Sequence, residues 1–332
     1  MLRTWIVLRA SFMMRNVNTL HEIMGRINIE GVMRTDEPMD RHTTFRVGGP
    51  ADLYIRPDSV ADLQAVLSLL RQAGTPILIL GGGANVVVSD AGVRGAVIDT
   101  TGLSAVRRDG NLLRVESGAM ISDAAEVSVQ HGLEGLEFLY SMPGTCGGAV
   151  WMNARCYGSS IDDILESVQY LDENSELQTL TAAHEEFDYK KSPFQLHDWT
   201  IVEAVFRLRP GSVDELTARM RGYYEDRLSK GHFALPCAGS VFKNDRRFGA
   251  PSGKILDELG VRGMQVGGAR VSDLHANIIV NTGTARASDI YHLTQKLHDL
   301  VLSERGYDLE PEVLFIGEWE SVLRTTTTAS PD

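Results

Sequence analysis

Three consecutive glycines, Gly81, Gly82 and Gly83, stand directly behind the apolar run Ile77-Leu78-Ile79-Leu80. That junction constrains the chain more than any other feature. The apolar run predicts a short buried strand. A backbone without Cβ atoms at its end can turn tightly, or let N–H groups approach a phosphate. Asn85 and the strand-like Val86-Val87-Val88 follow. The G-x-G-x-x-G spacing is absent and a strand, not a helix, comes next, so the loop is not a Rossmann fingerprint. No Gly-Lys-Ser/Thr follows, which excludes a P-loop. Taken alone, the triplet is as readily a turn between strands as an anion cradle.

The surrounding pattern is α+β. Ser59 is placed to cap a helix over residues 59–74, with Leu63, Val66, Leu67 and Leu70 as its buried stripe and Gly74 as its stop. Ala96-Val97-Ile98 is strand-like. Residues 112–117 predict a strand, 122–131 a helix and 166–180 a hairpin turning at Glu173-Asn174-Ser175. In the strand over 200–208, Val202, Ala204, Phe206 and Leu208 are expected on one face, and Pro210-Gly211 marks a domain boundary. Ser212 and Glu215 have capping-box spacing at the head of a helix running to about Lys230. Helices over 252–260 and 289–305 and a strand over 309–316 complete the pattern; in the second helix Ile290, Leu293, Leu297 and Leu300 share one face. The polar tail from Thr325 is expected to be disordered.

A chain of 332 residues has room for two or three compact units. Its formal net charge of −12 argues against a nucleic-acid partner. An anionic substrate must then be met by a local group of cations. Cys146, Cys156 and Cys237 are too few and too scattered for a disulfide framework or a zinc site, which points to a reducing cytosol. No apolar run reaches the ~18 residues of a membrane span. Trp5-Ile6-Val7-Leu8 is cut short by Arg9, so the first residues read as an extension and not as a signal peptide, with Met13 or Met14 as an alternative start.

Further segments carry chemistry-bearing residues. Ser141-Met142-Pro143-Gly144-Thr145-Cys146-Gly147-Gly148-Ala149 is a second glycine-rich loop. Two such loops suit the pyrophosphate of a dinucleotide, and a purely structural reading carries equal weight. Thr43-Thr44-Phe45-Arg46-Val47-Gly48-Gly49-Pro50 joins hydroxyls, an arginine and glycines. Ala238-Gly239-Ser240-Val241-Phe242-Lys243-Asn244 sets a serine among small residues beside a lysine; a turn serine is the ordinary reading. Glu312 in Glu310-Pro311-Glu312-Val313 and the cations of Tyr189-Lys190-Lys191-Ser192 read by default as solvated surface. The histidines show no metal-ligand spacing, and no metal is expected.

Read in order, these patches resemble the UDP-N-acetylenolpyruvoylglucosamine reductases. The matching stretches are HTTFRVGGPAD at 42–52, LGGGANVVVSD at 80–90, GLEFLYSMPGTCGGAVWMNA at 135–154, AGSVFKN at 238–244, GMQVGGARVSDLHANIIVN at 263–281 and EPEVLFIG at 310–317. Ordered motifs over residues 40–318 are far more specific than one glycine loop. The compact length fits the shorter of the family's two types. The resemblance implies an α+β flavoprotein with a vanillyl-alcohol-oxidase type FAD-binding fold and a C-terminal α+β substrate domain. The expected division is an extension over 1–27, FAD-binding subdomains over 28–95 and 96–210, a substrate domain over 211–309, and a strand and tail over 310–332 returning to the FAD site.

What the resemblance implies for function is noncovalent FAD, NADPH as reductant, and UDP-N-acetylenolpyruvoylglucosamine reduced to UDP-N-acetylmuramate for peptidoglycan by a monomeric cytoplasmic enzyme without nucleic-acid or membrane partners. Another FAD-dependent alcohol or sugar oxidase of the same fold is the competing reading. By the family's motifs Ser240 is the proton donor, Glu312 assists it, and Lys190 stands where the family has arginine. Lysine keeps the charge and loses the planar fork. The cofactor residues implied are Thr44, Arg46, Gly48, Gly81, Gly82, Gly83, Ala84, Asn85, Val86, Ser141, Pro143, Gly144, Thr145, Gly147, Gly148 and Asn153. Ala84 replaces a frequent serine and Ser141 a frequent glycine. Tyr189, Arg227, Lys230, Asn244 and His275 are the implied substrate residues.

Overall fold

The computed structural model describes residue 22, residues 24–182 and residues 186–319. The start of the expected extension and the tail from Thr325 lie outside the described residues. Strands β1 (Gly31–Pro38), β2 (Pro50–Pro57), β3 (Ile77–Leu80) and β5 (Val93–Asp99) form one sheet in the order β1-β2-β5-β3, and β4 (Val86–Val88) lies apart from it. β1 runs antiparallel to β2, while β2 and β3 flank β5 in parallel. Helix α1 (Val60–Gln72) makes the crossover from β2 to β3. Ser59 caps it by accepting the Asp62 N–H at 3.1 Å, and Leu63, Val66, Leu67 and Leu70 are buried on the sheet. The division expected between residues 95 and 96 falls inside β5. Both of its partners belong to the first unit, so that sheet runs to Asp99.

A second, antiparallel sheet holds β6 (Val106–Asp109), β7 (Leu112–Glu116), β8 (Leu165–Leu171), β9 (Leu177–Thr181) and β10 (Thr200–Arg207) in the order β9-β8-β10-β7-β6. Helix α2 (Ile121–Gln130) and the short α3 (Cys146–Trp151) pack on it. The single-face expectation for β10 is corrected. Its register against β8 slips at Val202, between Gln169↔Glu203 and Tyr170↔Ile201. The bulge sends Val202 and Leu171 into the core under α1, while Ala204, Phe206 and Leu208 stay in the core under α2 and α3.

The last third begins with α4 (Val213–Ser229). Ser212 occupies its N-cap position but makes no side-chain cap bond, so the expected capping box does not form. Helix α5 (Ser252–Glu258), strands β11 (Gln265–Val266), β12 (Ala269–Val271) and β13 (Ile279–Asn281), and helix α6 (Ala287–Arg305) enclose a third core. α6 starts two residues before the expected 289, because Asp90 accepts the N–H groups of Ala287 at 2.8 Å and Ser288 at 3.1 Å. Strand β14 is shorter than expected, Leu314–Ile316, and pairs in parallel with β4. The chain thus returns to the strand that follows the glycine triplet. There Asn85 accepts the Leu314 N–H at 2.9 Å, and its side chain donates to the Glu312 carbonyl at 3.0 Å.

Candidate active site

A cavity of about 800 Å³ runs between the three cores. One wall is backbone. A Cβ on Gly82 would sit 2.9 Å from the Gly144 Cα, and one on Gly81 2.2 Å from the Thr145 hydroxyl, so the two glycine loops meet face to face. Gly83 (φ +60°) is pressed against the His42 carbonyl, 2.0 Å from where a Cβ would be, and its own carbonyl accepts the Thr44 N–H at 3.1 Å. The N–H groups of Gly82, Gly83 and Ala84 donate to no acceptor among the described residues. The hydroxyls of Ser117 and Thr145 are buried at this wall without a hydrogen-bond partner among the described residues.

The facing wall is made of side chains from separate parts of the chain. The segment around Ser240 is sewn between two neighbours. Val241 donates to the Asn277 carbonyl at 2.8 Å and accepts the Glu312 N–H at 2.7 Å. Asn277 locks the segment further, bonding both the N–H and the carbonyl of Phe242. Ser240 and Glu312 therefore come from adjacent extended segments, although far apart in sequence. Lys190 reaches them from the second unit and pairs with Glu312 at 2.6 Å; both side chains are mostly buried, 13% and 15% exposed. Lys190 sits in the left-handed region (φ +59°), and its carbonyl accepts from Gln195 at 3.0 Å. Tyr189 offers its hydroxyl oxygen to the Asn244 N–H at 3.3 Å. Ser240 lines the cavity, and its hydroxyl makes no hydrogen bond among the described residues.

Cations gather at the same wall. Arg227, Lys230 and His275 line it, with Lys230 paired to Asp226 at 2.7 Å. Burial raises the Asp226 carboxyl, but the bonds from Lys230 and from the Tyr157 hydroxyl outweigh it and hold the group below its ordinary range. A second cavity of about 300 Å³ adjoins the first through Ser240, Asn244 and His275.

Of the residues expected at the cofactor, Gly81, Gly82, Gly83, Ala84, Asn85, Val86, Pro143, Gly144, Thr145, Gly147 and Gly148 line the cavity. Thr44, Arg46, Gly48, Ser141 and Asn153 do not. Gly48 (φ +135°) is a packing glycine, 2.8 Å from the Val88 Cβ at its missing side chain. Asn153 is 3% exposed and ties Asp188 to Asp162 through its two amide atoms. Ser141 adopts the left-handed backbone of a glycine (φ +59°), held by its N–H to the Ser122 hydroxyl at 2.8 Å. Sequence reasoning missed Tyr157, Gln195, Asp226 and His232, which also line the cavity. Tyr157 sits at a Tyr-Gly turn, and nothing local signals that its ring stacks on Tyr223 with centroids 4.2 Å apart.

Residues 51–181 match the FAD binding domain family, and residues 231–316 match the C-terminal domain of UDP-N-acetylenolpyruvoylglucosamine reductase. The chain is 38% identical over 302 residues to the UDP-N-acetylenolpyruvoylglucosamine reductase of Caldanaerobacter subterraneus, covering 91% of this chain and 98% of that relative. To that of Geobacter metallireducens it is 40% identical over 299 residues, covering 88% and 97%. The chain belongs to the UDP-N-acetylenolpyruvoylglucosamine reductase family. Among solved structures, the reductase from Thermus caldophilus matches with a TM-score of 0.73 at 29% identity, over 86% of this chain and 100% of that one. Membership of this reductase family, with its FAD-binding domain, makes the protein an FAD-dependent oxidoreductase. The backbone wall fits that cofactor. Its unpaired N–H groups and orphaned hydroxyls suit a pyrophosphate, and its glycines leave the room a Cβ would fill.

Proposed function

We propose that the protein catalyses the NADPH-dependent reduction of UDP-N-acetylenolpyruvoylglucosamine to UDP-N-acetylmuramate, a step in making peptidoglycan precursor. The supporting observation is convergence: Ser240 and the Lys190–Glu312 pair line the same cavity as the two glycine loops. Gly81–Asn85 and Gly144–Gly148 hold FAD in this reading. The chemistry FAD supplies when bound is hydride transfer, from NADPH to C3 of the enolpyruvyl double bond. Ser240 donates the proton to C2. A hydroxyl is a weak acid, so it works only when fixed and electrostatically supported. The extended segments on both sides fix it, and Lys190 supplies the positive charge that stabilises the developing enolate. Glu312 orients that ammonium. Arg227, Lys230, Tyr189 and Asn244 take the sugar nucleotide, with the cations on its diphosphate.

The test is anaerobic spectroscopy of the purified protein. Yellow protein is bleached by NADPH and recovers its colour on addition of the enolpyruvyl sugar nucleotide. Reoxidation by oxygen alone, with none by that substrate, would assign an oxidase instead and overturn the proposal.

A further inference from the structure

The end of α4 brings Arg227, Lys230 and then His232 to the cavity, where His275 faces them from the loop before β13. Lys230 already has a counter-ion in Asp226. Arg227 does not. It is 9% exposed, its Nε is buried without a partner, and its guanidinium has no hydrogen bond or ion pair among the described residues. A buried cation without an anion is costly, so this is a seat for one. His232 stands beside it. Its N–H donates to the Arg227 carbonyl at 3.2 Å, and its ring centroid lies 6.3 Å from that of His275. Neither ring nitrogen of His232 bonds to the protein among the described residues.

We propose that His232 is a proton-coupled ligand of the substrate's diphosphate: neutral in the free protein, it takes up a proton as the diphosphate settles against Arg227. The inference rests on the reading above that the cavity receives a nucleoside-diphosphate sugar. It assigns His232, which the sequence motifs leave out, and adds a proton to the binding equilibrium.

The groups facing His232 set the sign. Burial comes first, then the charges of Arg227, His275 and Lys230; together they push the imidazole down to about 4, with Asp226 alone opposing. His275 is lowered in the same way, by burial, then Lys230 and Arg262, against Asp257. A diphosphate diester brings two negative charges that do not titrate near neutrality. They reverse the local field and raise the imidazole toward and above its ordinary range. Binding is then linked to proton uptake. Affinity is flat above the bound-state pKa, rises about tenfold per unit as the pH falls between the bound and free values, and levels off below about 4.

The experiment is calorimetric titration of UDP-N-acetylglucosamine into the FAD-loaded protein near pH 6.5, in buffers of different ionisation enthalpy. The expected result is uptake of about half a proton or more per molecule bound, and loss of most of that uptake in His232→Gln. The wild type gives a second readout that needs no variant. Its KM for the enolpyruvyl substrate should fall about fivefold or more from pH 8 to pH 6. Binding without proton uptake, or equal uptake in a folded, FAD-loaded His232→Gln, overturns the assignment and leaves the proposed reaction standing. If the sugar nucleotide does not bind and the enolpyruvyl substrate fails to reoxidise the flavin, the functional reading falls, and this inference with it.

Discussion

The two walls of the cavity are built on opposite principles. The glycine wall, 81–85 against 144–148, offers backbone N–H groups and no charge. The facing wall offers Lys190, Arg227, Lys230, His232, Ser240, His275 and Glu312, gathered from five stretches of chain. The first wall depends on what is missing, because a methyl group at Gly81, Gly82 or Gly83 would enter neighbouring atoms. The second depends on what is present, and on where backbone bonds hold it. A protein of net charge −12 thereby keeps a cationic pocket for an anion. The contrast teaches that one wall is specified locally and the other by the fold.

If the walls divide the labour as proposed, substitutions separate flavin loading from turnover. Ser240→Ala has the largest expected effect. Turnover of the enolpyruvyl substrate should fall about 10²–10⁴-fold, the usual worth of a positioned acid, while NADPH still bleaches the flavin in stopped-flow. Unchanged turnover would remove Ser240 as donor. Lys190→Ala comes next. It leaves Glu312, 15% exposed, without the ammonium now 2.6 Å away. Losing the cation that faces the developing enolate should cost about 10²-fold in kcat, about 2.7 kcal/mol of transition-state stabilisation. Lys190→Arg restores much of it if charge matters more than shape, whereas equal loss in both variants would make the lysine's compact geometry the requirement.

Gly82→Ala attacks the other wall. Its methyl would lie 2.9 Å from the Gly144 Cα, backbone that cannot swing aside. Overpacking of about 1–3 kcal/mol predicts FAD affinity weaker by about 5–150-fold. The check is the fluorescence of released FAD on dilution. The reconstituted fraction should still turn over, which separates this defect from that of Ser240→Ala. Tight FAD retention in the variant would mean that the loops part more easily than their contacts suggest.

How much of this was legible follows the same division. The helix from Ser59 and the strand–glycine–strand unit were readable, because cap, periodicity and turn chemistry are local. Gly81–Gly83 pointed to close backbone approach for the same reason. The start of α6 was not readable, since its cap is Asp90 from across the fold. Val202 was misplaced because a bulge belongs to the pairing of two strands, not to either alone. The meeting of Lys190 with Glu312 depends on β14 returning to β4, and no spacing encodes that. Those residues were reached only through ordered motifs shared with a family. Asn153 and Gly48 show the cost of that route: both lie in shared motifs, yet here they brace the frame and not the cavity wall.

The smallest expected effect tests whether the glycine wall is as local as its contacts suggest. Ser59 caps α1, which packs on the sheet whose strand β3 runs into Gly81. Ser59→Ala removes the bond to the Asp62 N–H and should cost about 1 kcal/mol, read as a lower midpoint in urea at unchanged slope. A cap lost at the far end of the helix leaves the contacts of Gly82 with Gly144 intact. FAD affinity and KM should therefore stay within about twofold, since energies at separate sites add. If FAD loosens in step with the midpoint, the loop's shape is held by the sheet's stability and not by its own close packing. The glycine wall would then be a product of the fold, like the wall it faces.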